Sequence, residues 1–216
     1  MATQLSIMER DNEVLRTLTR WIRVASLPQL AKFWWSASVT REIAARKRLR
    51  ELERCGLLRH KIVQTIAFPP LTDPLIQWQP GELIPEFGPL AWLLKRRWQC
   101  ARQLTAVYFA TAHAARRFGG RRQGRIPRAF QVSHDLGVAE MHFAIRRKSP
   151  DCVALWIDED RLAPFRRGEK LPDAVLATSP DAIPRRVLEF GGAYGKQRLQ
   201  NFHDDCEGRG LPYEIW

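Results

Sequence analysis

The chain has 216 residues, 45% of them hydrophobic, and its 35 Lys and Arg against 23 Asp and Glu give a formal net charge of +12. This length suits one ordinary domain or two small ones, and the apolar content excludes wholesale disorder. No apolar stretch approaches the roughly 20 residues of a membrane helix, and residues 1–12 lack the apolar core of a signal peptide. We therefore expect a folded, cytoplasmic protein that does not insert into a membrane.

The cysteines exclude two further classes of protein. Cys55, Cys100, Cys152 and Cys206 are far apart and form no Cys-x-x-Cys pair. Structural zinc sites and small disulfide scaffolds use closely spaced cysteines. Four reduced thiols are expected instead.

Positive charge is concentrated in the first part of the chain. Residues 1–128 carry 23 Lys and Arg against 9 Asp and Glu, a net charge of +14, whereas residues 129–216 carry 12 against 14, a net charge of −2. The basic part ends in residues 116–128, which contain six arginines, three glycines and a proline. This segment is typical of a basic linker or of a loop that lies on phosphates. Nucleic acid is favoured over an acidic protein or a membrane surface as the partner.

The N-terminal residues have the apolar spacing of helices. We predict helices over residues 7–24, over residues 27–35 with Ser26 as N-cap, and from Ser38 or Thr40 to Arg54, where Gly56 ends the third helix. Three helices within about 50 residues indicate a helix-turn-helix.

The third predicted helix is amphipathic. Ala45, Leu49 and Leu52 share one face, and a cationic face lies opposite, formed by Arg46, Lys47, Arg50 and Arg54. A helix of this kind can enter the major groove and contact phosphates or guanine edges, although a charged face that contacts only solvent has the same pattern.

Residues 59–68 and 75–79 are predicted as the two strands of a wing. The segment Lys47–Leu58 resembles the third helix and the turn into the wing of many winged-helix proteins. Residues 88–115 are then predicted as one long connecting helix.

Apolar residues follow a different pattern in the C-terminal part of the chain. We predict a helix over residues 134–145 that carries Glu140, strands over residues 152–158, 171–177 and 186–190, a helix over residues 197–208 and a last strand over residues 211–216. This order predicts a small α/β sheet. It brings three carboxylates together: Glu140 on the helix, Asp173 in the second strand and Glu189 at the end of the third.

These carboxylates suit a hard cation. Mg²⁺ takes carboxylate oxygens and keeps several waters, so Asp173 and Glu189 could hold it while Glu140 assists. The segment Leu171–Asp173, followed sixteen residues later by Glu189, resembles the PD-(D/E)xK nuclease motif.

The order of all these parts resembles the replication-relaxation family of plasmids and integrated mobile elements. The resemblance covers about Leu15 to Trp216 and concerns the order of motifs rather than close identity. It implies an α+β protein with a winged helix-turn-helix in residues 1–85, a connecting helix and basic linker in residues 86–128, and a small restriction-endonuclease-like domain in residues 129–216. It also implies DNA binding linked to plasmid replication, relaxation or mobilisation, with Arg121 and Arg122 of the linker on DNA. Replication or mobilisation proteins and a homodimer stay open as further partners.

One departure from the nuclease motif leaves the activity open. The motif has Glu-x-Lys as its third element, whereas Phe190 and Gly191 follow Glu189 here. Lys196 could return the positive charge from the next helix, and Tyr194 could act as a nucleophile. The expected function is that of a DNA-binding protein of a plasmid or mobile element, with a Mg²⁺-dependent nuclease or relaxase-like domain that acts on DNA phosphodiesters. The alternative is a non-catalytic winged-helix regulator, or an accessory protein with a degenerate nuclease fold.

Overall fold

The computed structural model describes residues 6–36, 39–120, 129–166 and 170–216. The chain is α+β and forms two compact units, each built from two separate stretches of sequence. Unit 1 comprises Met1–Thr65 and Arg102–Ala139, and unit 2 comprises Ile66–Ala101 and Glu140–Trp216. Within the described ranges, no helix combines the length and the apolar character that crossing a membrane requires.

The helices and strands follow one another along both units. The helices are α1 Glu9–Arg20, α2 Leu27–Trp34, α3 Arg41–Arg54, α4 Phe87–Trp98, α5 Ala112–Phe118, α6 Ala129–Lys148, α7 Glu159–Leu162 and α8 Lys196–Gly208. The strands are β1 Ala25–Ser26, β2 Leu58–Ile66, β3 Ile76–Trp78, β4 Arg102–Ala110, β5 Trp156–Asp158, β6 Ala174–Leu176, β7 Arg186–Glu189 and β8 Tyr213–Ile215.

The three predicted N-terminal helices are confirmed as α1, α2 and α3. Ser26 begins α2 with a capping box, because its Oγ accepts from the Gln29 backbone N–H at 3.3 Å while its own N–H donates to Gln29 Oε1 at 2.9 Å. Gly56 follows the end of α3 with a φ of +69°, a left-handed conformation that favours glycine. Local sequence signals therefore determine where these helices begin and end.

A buried ion pair fixes α3 against α1. Asp11 is 1% exposed, and the Arg48 guanidinium donates to it from Nη2 at 2.5 Å and from Nε at 3.0 Å. Arg48 Nη1 also donates to Glu51 at 2.6 Å, and these carboxylates raise the pKa of Arg48. Breaking such a pair leaves a buried charge without its partner, so the pair makes one orientation of α3 strongly preferred.

The sheet of unit 1 differs from the predicted wing. Its strand order is β1-β4-β2, with β1 antiparallel to β4 and Ala25 opposite Tyr108. The prediction that β2 pairs with the strand near residues 75–79 is wrong, because β3 belongs to the sheet of unit 2 and pairs with β8. The strand next to β2 in the sheet is β4, and residues 67–101 separate these two strands in the sequence.

The predicted long connecting helix over residues 88–115 is also wrong beyond Trp98. Helix α4 ends there, and residues 102–110 form β4 before α5 begins. Val107, Tyr108 and Phe109 favour strands and are buried in unit 1, so packing of the sheet overrides an apolar spacing that also fits a helix.

Unit 2 contains a five-stranded mixed sheet with the order β3-β8-β7-β6-β5. Strands β5, β6 and β7 are antiparallel neighbours, and β8 runs parallel to β7. Helices α4 and α8 pack on one face and share a core with Ile157, Val175 and Tyr213. The predicted C-terminal elements are confirmed in order and type, except that residues 150–155 form a 3-10 turn in place of most of the first strand.

The two compact units do not coincide with the predicted domains 1–85, 86–128 and 129–216. Residues 66–85 and 86–101 lie in unit 2, and residues 129–139 lie in unit 1. The reason is topological: β2 and β4 are neighbours in space although an insertion separates them in sequence, whereas the predicted domains were consecutive segments.

His142 should make stability depend on pH. It is fully buried in unit 2 against Trp156, with ring centroids 4.8 Å apart, and burial, followed by the charge of Arg146, lowers its pKa from 6.5 to about 3. The unfolded chain gains a proton below about pH 6.5 and the folded chain does not until about pH 3, so the free energy of unfolding falls as the pH decreases through this window.

We expect His142→Leu to make this decline shallower by up to about 1 kcal/mol per pH unit between about pH 4 and 6. Urea unfolding at several pH values measures the slope. His113→Leu, which removes an exposed histidine, is the control and should keep the parent slope. Equal slopes for His142→Leu and the parent chain would contradict the assignment.

Candidate carboxylate site

Asp173 and Glu189 come together at the ends of two neighbouring strands. Asp173 directly precedes β6 and Glu189 ends β7, and the antiparallel register places Ala174 opposite Leu188. The Asp173 N–H donates to Glu189 Oε2 at 3.4 Å, and the Phe190 N–H donates to Asp173 Oδ2 at 2.8 Å. Each residue therefore helps to position the carboxylate of the other strand.

Tyr194 holds the second oxygen of Glu189. The Glu189 side chain is only 4% exposed, and the Tyr194 hydroxyl donates to its Oε1 at 2.6 Å. Burial and then the neighbouring Glu189 charge raise the pKa of Tyr194 well above its usual value of 10. A phenol that holds its proton this firmly is a poor nucleophile at neutral pH, so the geometry favours a positioning role for Tyr194 over the nucleophilic role considered from the sequence.

The other two predicted catalytic residues do not join this pair. Glu140 lies half-buried on α6, where its Oε1 is 3.7 Å from Nη2 of Arg147. Among the described residues, Glu140, Asp173 and Glu189 do not form a group whose ligand atoms all lie within 4.8 Å of one another. Lys196 is exposed at the first residue of α8. Asp173 and Glu189 therefore pair without Glu140 in one compact three-carboxylate group among the described residues.

Arg97 is a buried cation that the sequence analysis missed. It is 7% exposed on α4, and its guanidinium donates to the carbonyl oxygens of Trp216 at 2.7 Å, of Gly191 at 2.8 Å and of Phe190. Burial lowers its pKa to about 10, against the opposing influence of Asp173. One signal in the sequence could have indicated this burial: Arg97 lies on the same apolar face of α4 as Leu90 and Leu94.

Gly191 allows this close approach. Its φ is +74°, and a Cβ at this position would lie 2.9 Å from Leu94 Cδ2. Its carbonyl oxygen accepts from Trp98 Nε1 at 3.0 Å as well as from Arg97. The segment after Glu189 is therefore bound to α4 by its backbone, which explains why glycine rather than the lysine of the motif suits the second position after Glu189.

A cationic surface pocket lies in the same unit. It is a shallow depression, and Pro172 and Val187, near Asp173 and Glu189 in sequence, line it. Arg166, Lys170 and Arg209 supply three positive charges against the single carboxylate of Asp205. An anionic group is the ligand that this charge balance favours.

The cationic face of α3 is exposed as predicted. Arg46, Lys47, Arg50 and Arg54 face solvent, whereas Ala45, Leu49 and Leu52 are buried. Arg121 and Arg122 lie outside the described residues.

The four cysteines are free thiols, and burial raises the pKa of Cys206 to about 12.

No protein-family model, no curated protein and no solved structure matches the chain. The function must therefore be argued from the residues and their geometry.

The hydrogen bond between Tyr194 and Glu189 should contribute measurably to stability. Removing a donor from a buried acceptor costs about 1–3 kcal/mol, so Tyr194→Phe should lower the free energy of unfolding by this amount. The variant keeps the ring on which the Arg198 guanidinium lies, 3.8 Å from the ring centroid. Urea unfolding of Tyr194→Phe, Glu189→Ala and the double variant isolates the pair, and purely additive effects would contradict a direct interaction.

Proposed function

We propose that the chain binds DNA through unit 1. The observation that carries this proposal is the division of charge between the two units. Unit 1 has 20 Lys and Arg against 7 Asp and Glu, a net charge of +13, whereas unit 2 has 15 against 16, a net charge of −1. A unit of about a hundred residues with this excess attracts polyanions strongly, because each phosphate contact releases condensed counterions.

The contact surface that we propose is the exposed face of α3. Its four cations point away from the buried Ala45, Leu49 and Leu52, and the Asp11–Arg48 pair fixes the rotation of the helix. Because Arg48 is engaged in this pair, the helix offers Lys47 and Arg50 rather than Arg48 to a ligand. A helix held in one orientation presents these exposed side chains in a defined register, which suits a groove contact.

The topology of unit 1 supports a winged-helix interpretation in a modified form. Three helices are followed by the two neighbouring strands β2 and β4, the order that the sequence resemblance implies. Residues 67–101 take the place of a short turn between these strands. A winged helix with an inserted segment accounts for both the order of the elements and the interrupted sequence of unit 1.

Binding should depend on the α3 cations more than on net charge. We expect Lys47→Ala/Arg50→Ala/Arg54→Ala to weaken binding to duplex DNA and to make the plot of log K against log salt shallower by about 3, since each lost phosphate contact removes about one unit of slope. Fluorescence anisotropy of a labelled duplex at several salt concentrations measures both quantities.

The matched control removes the same charge from unit 2. Lys95, Arg96 and Arg185 are exposed there, and their triple alanine variant should keep a slope close to that of the parent. Equal losses in the two triple variants would mean that net charge alone drives binding and that α3 is not the contact surface.

Metal-dependent DNA cleavage is a second candidate function, favoured by the pairing of Asp173 with Glu189. Two carboxylates fit Mg²⁺, which is commonly bound by one or two of them and keeps several waters. The carboxylate oxygens of Asp173 and Glu189 accept these hydrogen bonds and still have further lone pairs that could bind the cation. Bound there, Mg²⁺ would activate water and stabilise a leaving phosphate oxygen.

The surroundings of this pair suggest roles for three other side chains. Arg97 offers a buried positive charge near Asp173 in place of Lys196, and Tyr194 positions Glu189. The pocket cations would receive a phosphate. The resemblance to plasmid replication and mobilisation proteins gives the biological context that we propose, with replication or mobilisation proteins as partners.

Cleavage is tested with supercoiled plasmid in Mg²⁺ or Mn²⁺ and with a chelator. We expect metal-dependent nicking that Asp173→Ala abolishes while DNA affinity stays equal or rises, because a negative charge is removed. Lys196→Ala should leave the nicking rate within about twofold of the parent rate, because its side chain is exposed to solvent while Arg97 supplies the buried positive charge near Asp173. Retarded DNA without any strand break in either metal would refute the cleavage function and leave the DNA-binding proposal intact.

A further inference from the structure

A second group of ligand-type side chains lies on α8 of unit 2. His203, Asp204 and Glu207 each offer a ligand atom within 4.8 Å of the others, the one such group of three among the described residues. His203 and Glu207 are one helical turn apart and share a face. Asp204 and Glu207 are exposed, whereas His203 is fully buried.

His203 is the unusual member of this group. Its ring is 0% exposed and packs edge-on against Trp78, with centroids 4.8 Å apart. Its Nδ1 lies 3.1 Å from the Tyr213 hydroxyl, whereas its buried Nε2 has no hydrogen-bond partner and faces Glu207 Oε2 at 3.7 Å. Burying a polar nitrogen without a hydrogen bond is unfavourable, so a ligand at Nε2 would remove a cost that the apo fold carries.

We propose that His203 Nε2, Asp204 and Glu207 form a binding site for a first-row transition divalent cation of the Zn²⁺ class. Imidazole nitrogen with carboxylate oxygens suits Zn²⁺ and its neighbours better than Mg²⁺, which prefers oxygen alone. A neutral histidine and two carboxylates balance the charge of the cation. The three protein ligands leave a fourth position for water.

The surroundings of the group support this assignment. The hydrogen bond between Nδ1 and Tyr213 can hold the proton on Nδ1, which leaves the lone pair of Nε2 directed at the site. Gln200 Nε2 donates to Asp204 Oδ1 at 2.7 Å and restrains that carboxylate. In a tetrahedral site with bonds of about 2.1 Å the ligand atoms are about 3.4 Å apart, so the group has to contract when a cation binds, and the exposed side chain of Glu207 can rotate toward His203 Nε2.

This site is distinct from the Asp173 and Glu189 pair and does not depend on the proposed functions. The ring of His203 touches Trp78 of β3, and its Nδ1 meets Tyr213 of β8, so a cation held by Nε2 would brace α8 against two strands of the sheet. Occupancy should therefore raise the thermal stability of unit 2.

The test uses the full chain after treatment with EDTA. Titration with Co²⁺, followed by visible absorption, should show one equivalent bound with the intense bands of a tetrahedral site, and Zn²⁺ should displace it. Calorimetry with Zn²⁺ should give a micromolar or tighter dissociation constant, which Glu207→Gln and Asp204→Asn should each weaken at least tenfold. Both substitutions change exposed side chains, so the fold should persist even if a variant at His203 does not fold.

Two controls make the result specific. Asp205→Asn removes an exposed carboxylate of the same helix outside the group and should leave the Zn²⁺ affinity unchanged, as should Asp173→Ala at the other carboxylate site. The proposal is overturned if Zn²⁺ and Co²⁺ do not bind at micromolar concentrations. It is equally overturned if binding survives Glu207→Gln and Asp204→Asn, or if Asp205→Asn weakens binding as much as they do.

Discussion

The placement of β2 beside β4 is the constraint on which the organisation of the chain depends. The Thr111 N–H donates to the Leu57 carbonyl oxygen at 3.1 Å at one end of these strands, and the Ala67 N–H donates to the Ala101 carbonyl oxygen at 2.9 Å at the other. The two ends of the inserted segment are therefore held together, and the insertion can supply α4 and β3 to unit 2 while β2 and β4 complete unit 1. Loop closure of this length costs only a few kcal/mol, which the buried strands offset.

The same topology brings α4 to the carboxylates. Because α4 packs with α8 in unit 2, Arg97 reaches the backbone that follows Glu189, and the segment Phe190–Gly191 is fixed by its carbonyl oxygens rather than by a side chain. A lysine at position 191 would require a left-handed residue with a Cβ against Leu94. Packing against the inserted helix therefore favours glycine at position 191, and Arg97, a residue distant in sequence, places a positive charge near Asp173.

Features that depend on short-range sequence signals were predicted correctly, whereas features that depend on contacts between distant segments were not. The Ser26 cap, the end of α3 before Gly56 and the exposed cations of α3 follow from short-range patterns, and all are confirmed. The meeting of Asp173 with Glu189 followed from assuming that consecutive strands pair, which they do. The partner of β2 and the burial of Arg97 could not be predicted in the same way, since both depend on contacts across the insertion.

The division of charge also determines what each unit can contribute to recognition. The net charge of +13 on unit 1 would attract any DNA, whatever its base sequence, because phosphate contacts position a protein without reading bases. If unit 1 binds DNA as proposed, any preference for particular bases would come from the exposed side chains of α3, and each bidentate contact would contribute about 1–3 kcal/mol of discrimination. Since unit 2 is close to neutral, substituting its carboxylates changes the long-range attraction little. Under the two proposed functions, DNA affinity and cleavage would therefore be separable, because different residues in different units would determine them.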